Sequence, residues 1–490
     1  MVYIMFLQIA VFLWFLWYII NNYFQHRRMP PGPFPLPILG NLHKLGFDPP
    51  FTMDKLWKTY GDVYRVTFPV GTIVIVNSGE LAREALVTNK DDFAGRPTKL
   101  MYPMDVILEG KDVATADYDK VLISRRKLLK TALRGMETKL ARNKRSDAVG
   151  ELLGHIGSTE GRPFSLKDYL LATIVGQLWE GISSKKCSFG DPTLDSLVDL
   201  TEKITSLSTQ GSCCQVLPFL RHFKSAFAGC VEETLKLRDG IFGRVIKDHR
   251  WSYKRGVVRD VIDTFLAAQG TAGDEEGDTG MEVVHLVMNI LFGATATTTA
   301  LTTWFFLYVA ADSDLQSTLQ KELDLVVGRD RLPCWEDIDK LAYLQSTVCE
   351  VMRHSLFMPL LIPHKTIRDT TINAYHLTKN TTVVFNLYRI YRDPKEWEQP
   401  TVFKSNRFLD ADGKFLGWSK IPSFMPFGIG SRSCPGKDLG KMQVLVLAAS
   451  LLHRFTIELP NKAPKPSLEN SIPGSIRYPR DYKVIARKRL

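Results

Sequence analysis

The chain has 490 residues, 45% hydrophobic and 23% charged, with a formal net charge of +11. The composition is globular, and the length suits one large domain or two to three ordinary ones. Its seven cysteines are odd in number and scattered without a C-x-x-C pair, which excludes a disulfide framework and a zinc site and suits a reducing compartment.

Val2 to Ile20 is almost wholly apolar, broken only by Gln8. As a helix this stretch just covers a bilayer core of ~30 Å. His26-Arg27-Arg28 follows it, and the positive-inside rule keeps the downstream chain on the cytosolic side. A cleaved signal peptide needs a basic start and a small-residue cleavage site. Trp14, Trp17 and Tyr18 crowd that end instead, so an uncleaved single-pass anchor is expected.

Met29-Pro30-Pro31-Gly32-Pro33-Phe34-Pro35 comes next. Proline fixes φ and removes a donor, so a stiff extended spacer is expected. The chain thus divides into an anchor at 1–21, a basic and proline-rich hinge at 22–37, and one unit at 38–490. No second linker, repeat or low-complexity run follows. Gly270 to Gly280 reads as a surface loop.

Arg125-Arg126-Lys127 and Lys130 lie together at helical spacing, and Lys437 and Lys441 sit near the C-terminus. No aromatic-basic platform accompanies the positive charge, so nucleic acid is not the expected partner. A docking face for an acidic protein is the more specific reading.

Glu282 to Val309 is a long, largely apolar helix candidate with the centre Leu291-Phe292-Gly293-Ala294-Thr295-Ala296-Thr297-Thr298-Thr299. Its small residues leave room for a small ligand, and its hydroxyls can bond back to the preceding turn and loosen the helix. Tyr343 to Phe357 reads as a second helix. Glu350 and Arg353 share a face of it at i and i+3, a spacing that is usually a minor surface pair.

The most specific stretch is Phe427-Gly428-Ile429-Gly430-Ser431-Arg432-Ser433-Cys434-Pro435-Gly436, which runs into a helix-like segment, Lys437 to Leu452. Gly430 and Gly436 allow a tight turn and close approach. A helix start supplies N–H groups and a favourable dipole for a thiolate. Phe427 can wall the sulfur off from water, and Arg432 can pair with a carboxylate. A buried core cysteine is the plain alternative. A lone sulfur so placed also suits axial ligation of a haem iron.

That stretch resembles the haem-binding signature of the cytochromes P450. Glu350-x-x-Arg353 with Arg407 resembles the family's structural triad, although Asn406 stands where an acid is usual. The run Phe93-Ala94-Gly95-Arg96-Pro97, the stretch Leu361 to Lys365 and the stretch Lys395 to Pro400 are similar to the animal microsomal group that holds the steroid 17-hydroxylases and the xenobiotic oxidisers.

The resemblance implies a mainly α fold with a small β region behind an N-terminal transmembrane helix. It implies haem b, with Cys434 as the metal ligand. Arg96, Arg126, His364 and Arg432 fall on the usual propionate partners, and Phe427 and Gly436 complete the cofactor-binding set. Thr298 falls on the threonine that helps to protonate bound oxygen. Thr297 stands at the usual acid, Thr295 at the usual glycine and Leu122 at the usual tryptophan.

The implied function is a haem-thiolate monooxygenase in the endoplasmic reticulum membrane. NADPH–cytochrome P450 reductase supplies electrons, with cytochrome b5 as a further donor, and the substrate is lipophilic, a steroid being one candidate. Contacts to it are expected from Leu100 to Gly110, Leu200 to Phe219 and Leu291 to Thr298, with no polar steroid anchor evident near Leu207. Two alternatives stand beside this reading. One is an isomerase or dehydratase of the same fold that rearranges a peroxide without a reductase. The other is a non-enzymatic, membrane-anchored haem-binding protein.

Overall fold

Among the described residues, two helices are long and apolar enough to cross a membrane, and their burial separates them. In the computed structural model, which describes residues 2–489 apart from 47, 143–146, 211, 218–219, 222–225, 271–278, 461–465 and 468–470, the first is α1, Val2–His26. Its apolar span Tyr3–Phe24 is not buried by the rest of the protein. A helix apolar on all sides and left uncovered needs an apolar solvent.

The remaining helices used below are α2 (Lys120–Arg142), α3 (Leu166–Ser183), α4 (Ala226–Ser252), α5 (Thr279–Ala311), α6 (Ala342–Ser355) and α7 (Lys437–Arg454). The second apolar span lies within α5 and is 72% buried. It is the axis of the core, packed against α3, α4, α6 and α7. Trp304, Phe305 and Phe306 are fully buried on it.

The fold is mainly α with a small β region. Its main sheet holds β1 (Val63–Phe68), β2 (Gly71–Val76), β3 (His364–Lys365) and β4 (Thr382–Phe385), in the order β1-β2-β4-β3. β1 and β2 form an antiparallel hairpin, with Val63 opposite Val76. β2 and β4 are parallel, and β3 and β4 are antiparallel with His364 opposite Val383. Alternating burial along β1 puts Tyr64, Val66 and Phe68 against a small satellite core. A separate pair, Phe455–Glu458 with Ile485–Lys488, closes the C-terminal end.

The helix of α1 runs past the expected end of the apolar stretch to His26. The proline run after it is extended but attached. The Arg65 N–H donates to Pro31 O at 2.8 Å, and Arg65 Nη1 donates to Pro30 O at 3.0 Å. A Cβ on Gly32 would stand 2.1 Å from Arg65 O, so only glycine allows this approach. Tyr18 Oη donates to Pro35 O at 3.0 Å.

The expected loop at 270–280 falls mostly outside the described residues, and its ends, Gly270 and Gly280, belong to helices. The stretch expected between Leu200 and Phe219 is likewise described only in part.

Candidate active site

The cysteine loop is built from backbone that few residues accept. Gly428 and Gly430 have φ of 62° and 73°. A Cβ on Gly430 would lie 1.7 Å from Leu86 O, so the loop presses on the segment before it at a point where no side chain fits. The turn closes with the Cys434 N–H donating to Phe427 O at 2.8 Å. Gly436 then caps α7.

Cys434 is an exposed thiol by surface area, yet enough protein surrounds it that burial pushes its pKa up. A residue on a concave wall behaves in this way. The Gly436 N–H, Arg126 and Lys437 act in the opposite direction, and Asp438 reinforces the rise. The helix start alone therefore does not make a thiolate here. Coordination to a cationic metal does so outright.

Beside the loop lies a cluster of buried cations. Arg126 Nη2 donates to Ser433 O at 2.6 Å. Arg432 Nε donates to Ala94 O at 2.6 Å, and its Nη2 donates to Ala116 O at 2.8 Å. Arg96 donates through Nε to Ala114 O at 2.9 Å and through Nη1 to Pro363 O at 2.9 Å. Among the described residues these guanidinium groups meet carbonyls and form no ion pair with a carboxylate.

Burial, then Arg432 and Arg126, hold Arg96 well below the usual arginine range, with Asp112 pulling the other way. Burial and Arg126 push Arg432 down to about 10, against Asp117, Asp112 and Tyr118. Mutually repelling buried cations are unstable without anions. A group carrying carboxylates beside a metal fits this donor set, as haem b with its two propionates does.

His364 Nδ1 lies 2.7 Å from Phe93 O. Burial and Arg96 hold its pKa well below the ordinary imidazole value, so the ring is neutral and its single proton faces Phe93. In this state its other nitrogen can only accept. Phe427 contributes its carbonyl to the turn, and Lys441 Nζ stands 5.6 Å from its ring. Leu122 is buried in the core at 1% exposure. Arg126 is also buried, so of the basic run only neighbours such as Lys127 and Lys130 remain exposed with Lys437.

Sequence reasoning missed Asp117. Its Oδ1 accepts the Arg96 N–H at 3.0 Å, and its Oδ2 pairs with Lys365 Nζ. It joins the segment at Gly95 and Arg96 to β3. Nothing in the local sequence marks a pairing between positions so far apart.

At the centre of α5, burial is interrupted at Phe292, Gly293, Ala294 and Thr297, of which Gly293, Ala294 and Thr297 share one face. A Cβ on Gly293 would meet nothing within 4 Å. Thr297 Oγ1 donates to Gly293 O at 2.7 Å. Thr298 is buried at 4% exposure. The helix is continuous from Thr279 to Ala311, so the threonines do not open it as the sequence suggested. Their back-bonds at Thr297, Thr302 and Thr303 add to the main-chain ladder instead.

The Glu350–Arg353 pair is no surface feature. The two side chains are 0% and 1% exposed, joined by two bonds of 2.7 and 2.8 Å. Arg407 Nε adds a bond of 3.0 Å to Glu350, and the Lys404 N–H adds another at 2.9 Å. Arg353 also reaches Tyr391 O and Pro400 O.

Comparison with known proteins agrees with this arrangement. The family model described as Cytochrome P450 matches residues 30–486. The protein named steroid 17-alpha-hydroxylase/17,20 lyase of Ictalurus punctatus is 30% identical over 486 residues, covering 96% of this chain and 93% of that protein. Its namesake in Gallus gallus is 31% identical, covering 93% and 91%. Cytochrome P450 1A1 of Sparus aurata is 29% identical, covering 87% and 84%. With a match of this extent, and a cysteine turn set among buried arginines, the chain belongs to the cytochrome P450 family and is a haem-b monooxygenase.

Proposed function

We propose that the protein inserts one oxygen atom from O2 into a lipophilic substrate, with electrons from NADPH delivered by cytochrome P450 reductase and, as a second donor, cytochrome b5. The observation that carries this is the Cys434 turn beside three buried, carboxylate-free arginines. Cys434 is the metal ligand. Arg96, Arg126 and Arg432 hold the propionates, and Phe427 and Gly436 shape the sulfur's surroundings. The haem, when bound, supplies the oxygen activation.

The chain's own residues do the rest. Neutral His364 fixes the turn at Phe93 and, on gaining a second proton, can serve a propionate. The exposed face at Gly293 and Ala294 borders the space for oxygen and substrate. Thr298 holds the proton that oxygen cleavage consumes. Thr297 cannot act as an acid, since its hydroxyl is bonded to Gly293 O. Proton supply to Thr298 therefore relies on water. This last point also supports the second reading, a peroxide isomerase or dehydratase that needs no reductase.

Residues 1–21 anchor the protein in the endoplasmic reticulum membrane, 22–37 join the anchor, and 38–490 form the cytosolic catalytic domain. Lys127, Lys130 and Lys437 receive the acidic electron donor, while Lys441, expected to join them, is largely buried and paired with Asp438. The steroid 17-alpha-hydroxylase/17,20 lyase relatives point by name to steroids, with cytochrome P450 1A1 at nearly equal identity, and a pregnane steroid is the first substrate to try. Product mass is read after incubating the membrane-bound protein with NADPH, reductase and a pregnane panel. A product heavier by one oxygen, absent with Cys434→Ala, is expected. Turnover that ignores NADPH would move the protein to the isomerase reading.

A further inference from the structure

Residues 107–116 form a strap that runs from the buried arginines across α5 to α4. At one end its carbonyls meet the cation cluster. Ala116 O and Val113 O accept from Arg432 at 2.8 and 3.4 Å, and Ala114 O accepts from Arg96 at 2.9 Å. In the middle the Val113 N–H donates to Asn289 Oδ1 at 2.8 Å. At the other end the strap turns sharply. Glu109 and Gly110 have φ of 50° and 63°, and the Lys111 N–H donates to Leu108 O at 2.8 Å. A glutamate in the left-handed region is costly and persists only where its surroundings hold it.

Three side chains hold it. Arg238 on α4 is 2% exposed; its Nη1 donates to Ile107 O, and its Nη2 stands 3.7 Å from Glu109 Oε1. Its Nε donates to Asp239 Oδ1 at 2.7 Å. His285 on α5 is fully buried, with Nε2 3.7 Å from the same Glu109 oxygen. Lys111 Nζ pairs with Glu109 Oε2 at 3.1 Å. Burial works against the Glu109 carboxylate, yet Lys111, His285 and Arg238 hold its pKa below the ordinary value. His285, Asn289, Gly293 and Thr297 recur every fourth residue and form one row on α5. The strap meets the first two, and Gly293 stays exposed. Eight residues separate Gly293 from His285, about 12 Å of helix.

We propose that Arg238, acting with Glu109 and His285, is a specificity-determining residue that pins the strap across the far end of the ligand space and limits the length of substrate taken there. Given the haem reading above, on which this rests, a ligand shorter than that separation does not meet the clasp, and a longer one must move it.

The test uses the haem-loaded, full-length protein in nanodiscs and two iron-binding probes, imidazole and 1-dodecylimidazole, whose extended chain outreaches the separation. Stopped-flow spectra give their binding and release rates. In Arg238→Leu and Glu109→Gln, dodecylimidazole should enter and leave about tenfold faster than in the wild type, the worth of one charge-assisted hydrogen bond, with imidazole unchanged. Arg238→Lys should recover part of the slow rate. Amide hydrogen exchange without ligand should quicken at 107–113 and not along α7. Ferrous–CO spectra check folding. Glu109→Gln alters a side chain that is 37% exposed, so it carries the test even where Arg238→Leu does not fold. Unchanged dodecylimidazole rates in Glu109→Gln overturn the inference. So do rates that rise equally for both probes, the mark of general loosening. Absence of an iron-bound imidazole spectrum in the wild type refutes the haem reading, and this one with it.

Discussion

At Gly430 the chain tolerates no Cβ, because Leu86 O would lie 1.7 Å away and φ is 73°. Gly430→Ala must move the backbone of one segment or the other. We expect a loss of at least about 3 kcal/mol, the upper range for a strained left-handed residue, measured by denaturant unfolding, together with a lower haem content. An unchanged midpoint would mean that the turn is adaptable. Thr298 makes a subtler prediction. Thr297 is bonded to Gly293 O, so its hydroxyl is already engaged. Thr298→Ala should keep the ferrous–CO spectrum and divert NADPH electrons to peroxide, raising peroxide per NADPH by about tenfold or more, the low end of what a positioned proton donor contributes. Unchanged coupling would remove Thr298 from proton delivery.

At the scale of elements, α6 is joined to the loop at 400–407 through Glu350. Glu350→Gln keeps the shape but leaves Arg353 and Arg407 without their shared carboxylate. A broken buried pair costs about 3–5 kcal/mol, and the expected result is a large drop in thermal stability and little haem-loaded protein. The end of α4 supplies a pH-dependent contact. His249 lies between Val245 O at 2.8 Å and Asp260 Oδ2 at 2.9 Å. Both neighbours are acceptors, so the geometry favours the doubly protonated ring. Burial opposes the charge, but the bonds to Asp260 and Val245 and the charges of Asp260 and Asp263 raise the pKa above the ordinary value. A raised folded-state pKa means that this stabilisation is complete below the unfolded value of about 6.5. It fades as pH rises through the higher folded value. His249→Gln should therefore destabilise the protein more at pH 6 than at pH 9, read by unfolding midpoints. Equal losses at both pH values would show the ring to be neutral throughout. The same cluster, with Asp263, has ligand types suited to a metal, but Arg259 already engages both oxygens of Asp263.

Across the whole molecule, what could be read from the sequence depended on the distance between the residues involved. The cysteine turn is legible because Phe427, Gly430, Arg432 and Cys434 lie within one short run, and family membership follows from such runs. The cation cluster is not legible locally. Arg96 meets the carbonyls of Ile362 and Pro363, and Arg432 meets Ala94, contacts that only the packing of β3 and the preceding loops creates. Burial decides similar cases. Glu350 and Arg353 have the spacing of a surface pair and lie in the core. Arg126 has the spacing of a basic face and turns inward. The uncovered apolar helix leads to a whole-molecule expectation. Deleting 2–26 should shift the protein toward the soluble fraction in vesicle flotation, while leaving the cysteine turn intact by ferrous–CO spectrum. Complete retention on vesicles would assign membrane attachment to another surface.

The proline run after α1 has a mechanical consequence. Its carbonyls are tied to Arg65 on β1, and Tyr18 of the anchor is tied to Pro35. The Arg28 carbonyl is held by the His376 N–H at 3.1 Å. Little free chain remains between bilayer and domain to act as a swivel. The catalytic body should therefore tilt and rotate together with its helix, so that the lipid sets the direction in which its entrance points. Polarised measurements of its rotation would then show slow, restricted tumbling, and a flexible insert after His26 would release it.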